Sequence, residues 1–269
     1  MTKEVGAGNR CDALRAYLRA NRPLVIAYSG GVDSAFLLAV AAKSLGDGCL
    51  GVIADSPSLP RAALADALQL ARAIGAEVEI IATNEMDDPN YTNNPVNRCY
   101  FCKVELFTRL EAVARRRGFR ALAYGENADD AQQVRPGRLA AAEFRVLAPL
   151  RKVGLTKSEI RVLSRTIGLP TAEAPAQPCL SSRIPHGRPV TPAALEMIER
   201  GEIIVRSFGF RVFRVRHWVE AHQTCARVEI APNEMPALAA VTEALRLGLR
   251  GAGYDEVLID PRGYRGLSR

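Results

Sequence analysis

The chain of 269 residues is 48% hydrophobic and carries 36 Lys and Arg against 29 Asp and Glu, a net charge of +7. This length suits one large domain or two smaller ones, and the apolar fraction is ample for a core. The apolar runs are shorter than a membrane helix and the first residues contain no apolar signal core, which indicates a cytoplasmic protein without a membrane partner. The basic excess fits an anionic ligand such as a nucleotide and permits tRNA, but a basic solvated surface explains it equally well.

The first predicted helix, residues 10–20, is amphipathic, and an apolar strand over residues 24–28 follows it. This strand leads into a loop that reads Ser29-Gly30-Gly31-Val32-Asp33-Ser34, and a helix comes after the loop. Glycine lets the backbone approach an anion closely, and the positive end of the helix faces that anion. The loop resembles the pyrophosphate loop of the ATP pyrophosphatase superfamily. This resemblance implies that these residues hold ATP and Mg2+ and that Asp33 has a catalytic role. The alternative is a glycine-rich turn.

Three further strands are predicted at residues 49–54, 77–82 and 121–124, with helices between them. Such alternation predicts an α/β fold, a Rossmann-like parallel sheet with helices on both faces. Ligands of these sheets lie at the carboxyl ends of the strands. Asp55 and Ser56 occupy one such end and are assigned to ATP, with capping of the next helix as the alternative.

The fourth strand ends in a second polar group, Gly125 to Asp130. Gly125 and Asp130 are assigned to the nucleotide site, because paired carboxylates at a strand end suit Mg2+ held by phosphates. The alternative is an acidic cap for the next helix. Arg135 and Arg138 follow and could meet a carboxylate or a phosphate.

The six cysteines are not a disulfide framework in a reducing compartment. Cys99 and Cys102 form a C-x-x-C at the head of a helix over residues 104–117, compatible with a redox pair, a zinc half-site or iron–sulfur ligands. Cys179 lies in a loop beside hydroxyls and an arginine, which is typical of a nucleophilic or metal-binding thiol.

The pattern changes after residue 186, which predicts domains over 1–186 and 187–269, the second a small α+β domain. It would contain helices at 192–207 and 233–247 and strands at 210–217, 224–230 and 256–259. Arg214 and Arg216 alternate onto one face of the first of these strands. That face either binds an anion or is solvated. Thr156 and Glu159 predict a capping box that opens a helix over 157–167.

Taken together, these motifs resemble the ATP-dependent sacrificial sulfur transferases called LarE. The resemblance is carried by Ser29–Ser34, Ala54–Pro60, Asn97–Lys103, Asn127–Asp130, Arg135–Gly137, Gly154–Lys157, Cys179–Arg183, Gly209–Phe210, Arg214–Arg216 and Ala226–Glu229. It implies a substrate, pyridinium-3,5-biscarboxylic acid mononucleotide, that is adenylated by ATP and then receives sulfur in building the nickel-pincer nucleotide cofactor. Glu126, where the family commonly has Gly-Thr-Asn, and the longer stretch around Trp218 depart from its pattern.

The resemblance also implies a site. Cys179 would be the catalytic cysteine that gives up its sulfur, or Cys99, Cys102 and Cys179 would hold a 4Fe–4S cluster that binds an extra sulfide. We favour the cluster version, with zinc as the alternative metal. The implied substrate-binding residues are Ser182, Arg183, Arg214, Arg216, Glu202 and Glu229. Family members assemble as hexamers, so a homo-oligomer is expected.

Three other functions compete with this interpretation. A tRNA thiolase of the same superfamily would also use the loop and three cysteines. An iron–sulfur or zinc carrier would not need the loop at Ser29, Asp33 and Ser34. An ATP amidotransferase or synthetase would leave the cysteine trio unexplained.

Overall fold

The computed structural model describes residues 2–132 and 136–264, and Arg135 lies outside this range. The described residues divide into two compact units. The first unit comprises the residues up to Glu85 together with Asn97–Gln177. The second comprises Met86–Val96 together with the chain from Pro178 onward.

The first unit is built on a parallel sheet, which confirms the predicted fold class. Its strands are β1 (Leu24–Ala27), β2 (Cys49–Asp55), β3 (Val78–Ala82) and β4 (Ala121–Tyr124). Their order in the sheet is β3-β2-β1-β4, with Ile26 beside both Gly51 and Ala123.

The α-helices of both units and the strands of the second unit are the other main elements. The helices are α1 (Thr2–Ala20), α2 (Val32–Leu45), α3 (Arg61–Ala73), α4 (Pro89–Thr92), α5 (Arg98–Arg117), α6 (Gly137–Glu143), α7 (Pro149–Lys152), α8 (Lys157–Thr166), α9 (Pro192–Ser207), α10 (Met235–Leu238) and α11 (Thr242–Gly251). The strands of the second unit are β5 (Phe213–Glu220), β6 (Gln223–Ile230) and β7 (Glu256–Ile259).

Strand β1 is apolar throughout because both faces of its sheet are covered. Leu24 and Ile26 belong to a core shared with α1, α2 and α8. Val25 and Ala27 belong to a second core with Phe107 of α5. Burial on both faces is the usual reason that a strand in a parallel sheet reads as a continuous hydrophobic run.

In the second unit, β5 and β6 form an antiparallel hairpin, and β7 runs parallel to β6. Strand β5 begins at Phe213 and ends at Glu220, three residues later at each end than predicted, so that the turn consists of Ala221 and His222. Both turn residues have positive φ, 47° and 66°, the conformation that a tight two-residue hairpin turn requires.

Three predicted helices differ clearly from the observed ones. The helix predicted over 10–20 begins at Thr2. The helix predicted over 104–117 begins at Arg98, so that the C-x-x-C lies inside its first turns. The helix predicted over 233–247 is two helices, α10 and α11. They separate because the Leu238 carbonyl accepts from the Val241 N–H in a tight turn and from the Thr242 hydroxyl at 2.8 Å.

Candidate functional site

The loop from Ser29 to Gly31 connects β1 to the N-terminus of α2. Gly30 has φ +73°, and a Cβ on it would lie 2.8 Å from the Cβ of Ala67. Glycine is therefore required here both by backbone conformation and by space. The N-cap of α2 is Gly31, and within the described residues no side chain caps this helix. The backbone N–H groups of its first turn are suited to an anion.

Hydrogen bonds of Ser29 and Ser34 stabilise the conformation of the loop. Ser34 Oγ accepts from the Ser29 N–H at 3.2 Å, lies 3.1 Å from Ser29 Oγ and donates to the Gly31 carbonyl at 3.1 Å. The Ser34 side chain is thus buried in the loop that it shapes.

Asp33 lies in the first turn of α2 and receives two donors on one oxygen. Lys157 Nζ is 2.7 Å from Asp33 Oδ2, and Asn127 Nδ2 is 3.3 Å from the same atom. The other oxygen, Asp33 Oδ1, is buried and has no hydrogen-bond partner among the residues that the structure describes. Such a carboxylate, half satisfied and beside a phosphate-type loop, can bind a cation such as Mg2+.

Lys157 is a site residue to which sequence reasoning assigned no role. It is the first residue of α8, directly after Thr156, whose hydroxyl accepts from the Glu159 N–H while the Glu159 carboxylate accepts from the Thr156 N–H. This confirms the predicted capping box. The sequence signal for a site role is that Lys157 directly follows the cap residue Thr156. A helix start that is fixed by a capping box also fixes the position of its first side chain.

Gly125 packs directly on the phosphate-type loop. A Cβ on Gly125 would lie 2.8 Å from the Ser34 backbone nitrogen and 2.9 Å from Ser34 Cα. The end of β4 and the start of α2 are therefore in backbone contact, which explains why glycine follows the strand.

The acidic group after Gly125 forms a turn built on Asn127. Asn127 Oδ1 accepts from the backbone N–H groups of Asp129 and Asp130, at 2.9 and 3.2 Å. Asp130 Oδ2 accepts in return from the Asn127 N–H at 3.2 Å, and Asp129 Oδ2 accepts from the Lys157 N–H at 2.8 Å. Asp129 thereby connects this turn to the start of α8.

Asp55 and Ser56 lie at the end of β2 as predicted, but they do not cap α3. That helix has Pro60 at its N-cap, and among the described residues no side chain caps it. Asp55 Oδ1 instead pairs with Arg61 Nη1 at 2.5 Å. Ser56 Oγ donates to the buried carboxylate of Glu85. Assignment of the two residues to ATP stays a prediction.

Glu126, which departs from the family pattern, is buried against two arginines. Arg138 Nε lies 2.9 Å from its Oε1, and Arg151 Nη1 lies 3.2 Å from its Oε2. Tyr124 donates to Oε2 at 2.6 Å, and burial raises the pKa of Tyr124. Arg138 thus pairs with a carboxylate of the protein itself. A carboxylate was one of the two kinds of partner, carboxylate or phosphate, that we expected for this arginine.

The C-x-x-C lies near the start of α5, where Cys99 is exposed and Cys102 is half-buried. Burial lowers the pKa of the neighbouring Lys103, whose ammonium lies 5.4 Å from the ring centre of Phe107. Cys179 is exposed. In the described ranges, 2–132 and 136–264, no three His, Cys, Asp or Glu side chains form a group that could hold a metal ion. The three-cysteine cluster therefore stays a prediction from the sequence.

Arg183 anchors the loop that carries Cys179. Its Nε and Nη2 donate to the two carboxylate oxygens of Glu202, at 2.8 and 2.9 Å. Its Nη1 donates to the carbonyls of Pro178 and Cys179, at 2.6 and 3.1 Å, and to Ser182 Oγ at 3.0 Å. Arg183 is 3% exposed, so the buried ion pair holds the Cys179 backbone against α9.

Arg214 and Arg216 lie on one face of β5, as predicted. Arg216 donates to Glu229 Oε2 from Nε at 3.0 Å and to the Ser182 carbonyl from Nη1 at 3.0 Å. Arg214 stacks on Tyr264, with Cζ 4.7 Å from the ring centre. Burial, reinforced by the nearby Arg183, lowers the pKa of Arg214. This concentration of arginines is suited to an anion such as a phosphate.

No helix in the described part of the chain is long and apolar enough to cross a membrane. A scan against models of known protein families finds no match. The chain is 38% identical to the uncharacterized protein slr1717 of Synechocystis over 262 residues, 96% of this chain and 95% of that protein.

Two more distant relatives also match over most of their length. Pyridinium-3,5-bisthiocarboxylic acid mononucleotide synthase of Lactiplantibacillus plantarum is 28% identical over 94% of this chain and 90% of the synthase. The uncharacterized protein MJ0830 of Methanocaldococcus jannaschii is 24% identical over 91% of this chain and 92% of its own. The chain therefore belongs to the same family as slr1717, and it is a distant homologue of the Lactiplantibacillus synthase.

Proposed function

We propose that this protein is an ATP-dependent sulfur transferase acting on pyridinium-3,5-biscarboxylic acid mononucleotide. ATP adenylates a ring carboxylate, and sulfur then replaces AMP to give a thiocarboxylate. The observation that carries this proposal is the Asp33 site, where a carboxylate with one unpartnered oxygen among the described residues lies directly after the glycine-rich loop and beside Lys157. The homology to a bisthiocarboxylic acid mononucleotide synthase supports the choice of substrate.

In the first step a carboxylate oxygen of the substrate attacks the α-phosphorus of ATP. The bond between the α-phosphorus and the bridging oxygen breaks, and pyrophosphate leaves. Ser29, Gly30, Gly31 and Ser34 would bind the departing phosphates through backbone N–H groups and hydroxyls. Asp33 would hold Mg2+, and Lys157, once released from Asp33, would neutralise phosphate charge.

In the version that sacrifices Cys179, its sulfur attacks the carbonyl carbon of the acyl adenylate in the second step, and AMP leaves with the electrons of the broken C–O bond. Loss of the Cys179 α-proton then allows its Cβ–S bond to break, so that sulfur stays on the substrate and dehydroalanine remains. Arg183 fixes the loop in which this happens, through the Cys179 carbonyl. Arg214 and Arg216 would bind the substrate phosphate, with Ser182, Glu202 and Glu229 around them.

The source of sulfur that the sequence favours is the predicted 4Fe–4S cluster, for which Cys99, Cys102 and Cys179 would be the thiolate ligands. Such a cluster would supply a bound sulfide and spare the Cys179 sulfur. Iron and acid-labile sulfide in anaerobically purified protein would support this version. Their absence, with dehydroalanine at position 179 after one turnover, would support sacrifice of Cys179.

The first test is pyrophosphate release from ATP, measured separately with the pyridinium dicarboxylate mononucleotide and with unmodified tRNA. The proposal predicts release with the mononucleotide and its loss in an Asp33→Asn variant. Asp47→Asn, in the short turn after α2, is the matched control and should remain active. Release with tRNA alone would overturn the substrate assignment and make the protein a tRNA thiolase.

A further inference from the structure

The outward face of the β5–β6 hairpin continues beyond the two predicted phosphate arginines. Trp218 lies two residues after Arg216 on β5, and therefore on the same face of the strand. Arg227 on β6 is the register partner of Arg216. Arg216, Arg227 and Trp218 thus form one continuous surface. Arg216 and Trp218 are about 7 Å apart along β5 at the usual rise per strand residue.

Trp218 and Arg227 contact each other on this surface. The guanidinium carbon of Arg227 lies 5.8 Å from the centre of the Trp218 ring. Arg227 Nε is buried and has no hydrogen-bond partner among the residues that the structure describes. Its nearest carboxylate oxygens belong to Glu229 and Asp260, at 3.7 and 4.0 Å, beyond hydrogen-bond length. Arg227 therefore retains hydrogen-bonding capacity, and its side chain is 42% exposed.

The same surface is connected to the Cys179 loop within the second unit. Arg216 Nη1 donates to the Ser182 carbonyl at 3.0 Å, and the Ser182 N–H donates to the Cys179 carbonyl at 3.0 Å. A ligand whose phosphate lies at Arg216 could therefore place its remaining part along β5, toward Trp218.

We infer that Trp218 and Arg227 form the subsite for the ring of a pyridinium mononucleotide carrying ring carboxylates. The inference rests on the proposed function and extends it to two residues to which neither the motifs nor the comparisons assign a role. The ring is a cation, and tryptophan is the side chain that attracts an aromatic or quaternary cation most strongly through its π face. A ring carboxylate is an anion that can accept a charge-assisted hydrogen bond from the exposed part of the Arg227 guanidinium.

Charge favours the same ligand. One positive pyridinium, two carboxylates and a phosphate make the molecule a net anion, so it is attracted to the arginines as a whole. Its single positive centre is on the ring, which is the part that the indole would receive. A ligand with a phosphate but no ring would use Arg216 and leave Trp218 untouched.

Trp218 is the only tryptophan in the chain, so its fluorescence reports this subsite directly. The experiment titrates the full-length protein, without ATP, with pyridinium-3,5-biscarboxylic acid mononucleotide and separately with ribose 5-phosphate. We expect saturable quenching with the mononucleotide and none with ribose 5-phosphate. Calorimetry on variants should show about tenfold weaker binding of the mononucleotide in Trp218→Ala and in Arg227→Gln, and little loss in Trp218→Phe.

Val219→Ala is the matched control, because Val219 is an exposed neighbour on β5 that points to the other face. Binding of the mononucleotide by calorimetry without any change in Trp218 emission would overturn the subsite and leave the proposed function in place. Equal weakening of ribose 5-phosphate and mononucleotide in Arg227→Gln would overturn it too, by making Arg227 a phosphate ligand. Failure of the mononucleotide both to bind and to trigger pyrophosphate release would instead remove the proposed function itself.

Discussion

Lys157 Nζ lies 2.7 Å from Asp33 Oδ2, although 124 positions separate the two residues in the chain. The pair joins the start of α8 to the start of α2, and it places a lysine beside the glycine-rich loop. With Asn127 on the same oxygen, Lys157 leaves Asp33 Oδ1 as the atom open to a further cation.

Replacing Lys157 should therefore impair the ATP reaction. In Lys157→Met, kcat/KM for ATP in pyrophosphate release should fall about 100-fold, because a preorganised cation near the phosphates is lost. Lys152→Met, an exposed lysine of α7, is the control and should behave like the parent. Similar rates for the two variants would show that Lys157 serves only to neutralise Asp33 in the fold.

A side chain at Gly125 should disrupt the same loop. Gly125→Ala places a methyl group within 3.0 Å of the Ser34 backbone, and such overpacking costs about 2 kcal/mol of unfolding free energy. Urea denaturation would measure the loss. Gly8→Ala is the matched control: Gly8 lies inside α1 with open space at its Cβ position, so alanine should stabilise by up to about 1 kcal/mol. Equal stability of Gly125→Ala and the parent would contradict the backbone contact.

The Arg183–Glu202 pair should matter for stability as well as for the Cys179 loop. Arg183→Gln leaves Glu202 as an uncompensated and largely buried charge, which costs about 3 kcal/mol. On the same helix, Arg200 and Glu196 are both exposed and lie 3.8 Å apart, so Arg200→Gln should change stability little. If urea midpoints of the two variants coincide, the pair does not hold the loop as argued.

Because of His217, the stability of the second unit should depend on pH. It is buried against the ring of Tyr254, with ring centres 5.7 Å apart, and burial lowers its pKa in the folded state. The unfolded chain therefore binds the proton more readily, so stability is full above about pH 6.5 and declines as pH falls below it. The free energy of unfolding, followed from pH 8 to pH 5, should fall less in His217→Gln than in the parent. His186→Gln, at an exposed loop position, should leave the parent's slope unchanged.

The sequence by itself determined the fold class and the positions of the polar groups that follow the strands of the parallel sheet. Apolar runs separated by helical periodicity were enough to predict a parallel sheet, since a strand covered on both faces has to be hydrophobic throughout. Glycines after a strand were enough to predict the anion-type loop, because few other residues permit that turn. The distant homology to the Lactiplantibacillus synthase confirms the resemblance at that coarse level.

Only the tertiary structure decided which side chains meet. The partnership of Lys157 with Asp33, the clash that excludes a Cβ at Gly125, and the bidentate contact of Arg183 with Glu202 all join residues that are distant in sequence. Local propensity contains no information about such contacts, because they depend on how the strands are ordered and how the helices pack. For the same reason the alternation of β5 predicted an arginine face, whereas the contact between Trp218 and Arg227 required the register of the hairpin.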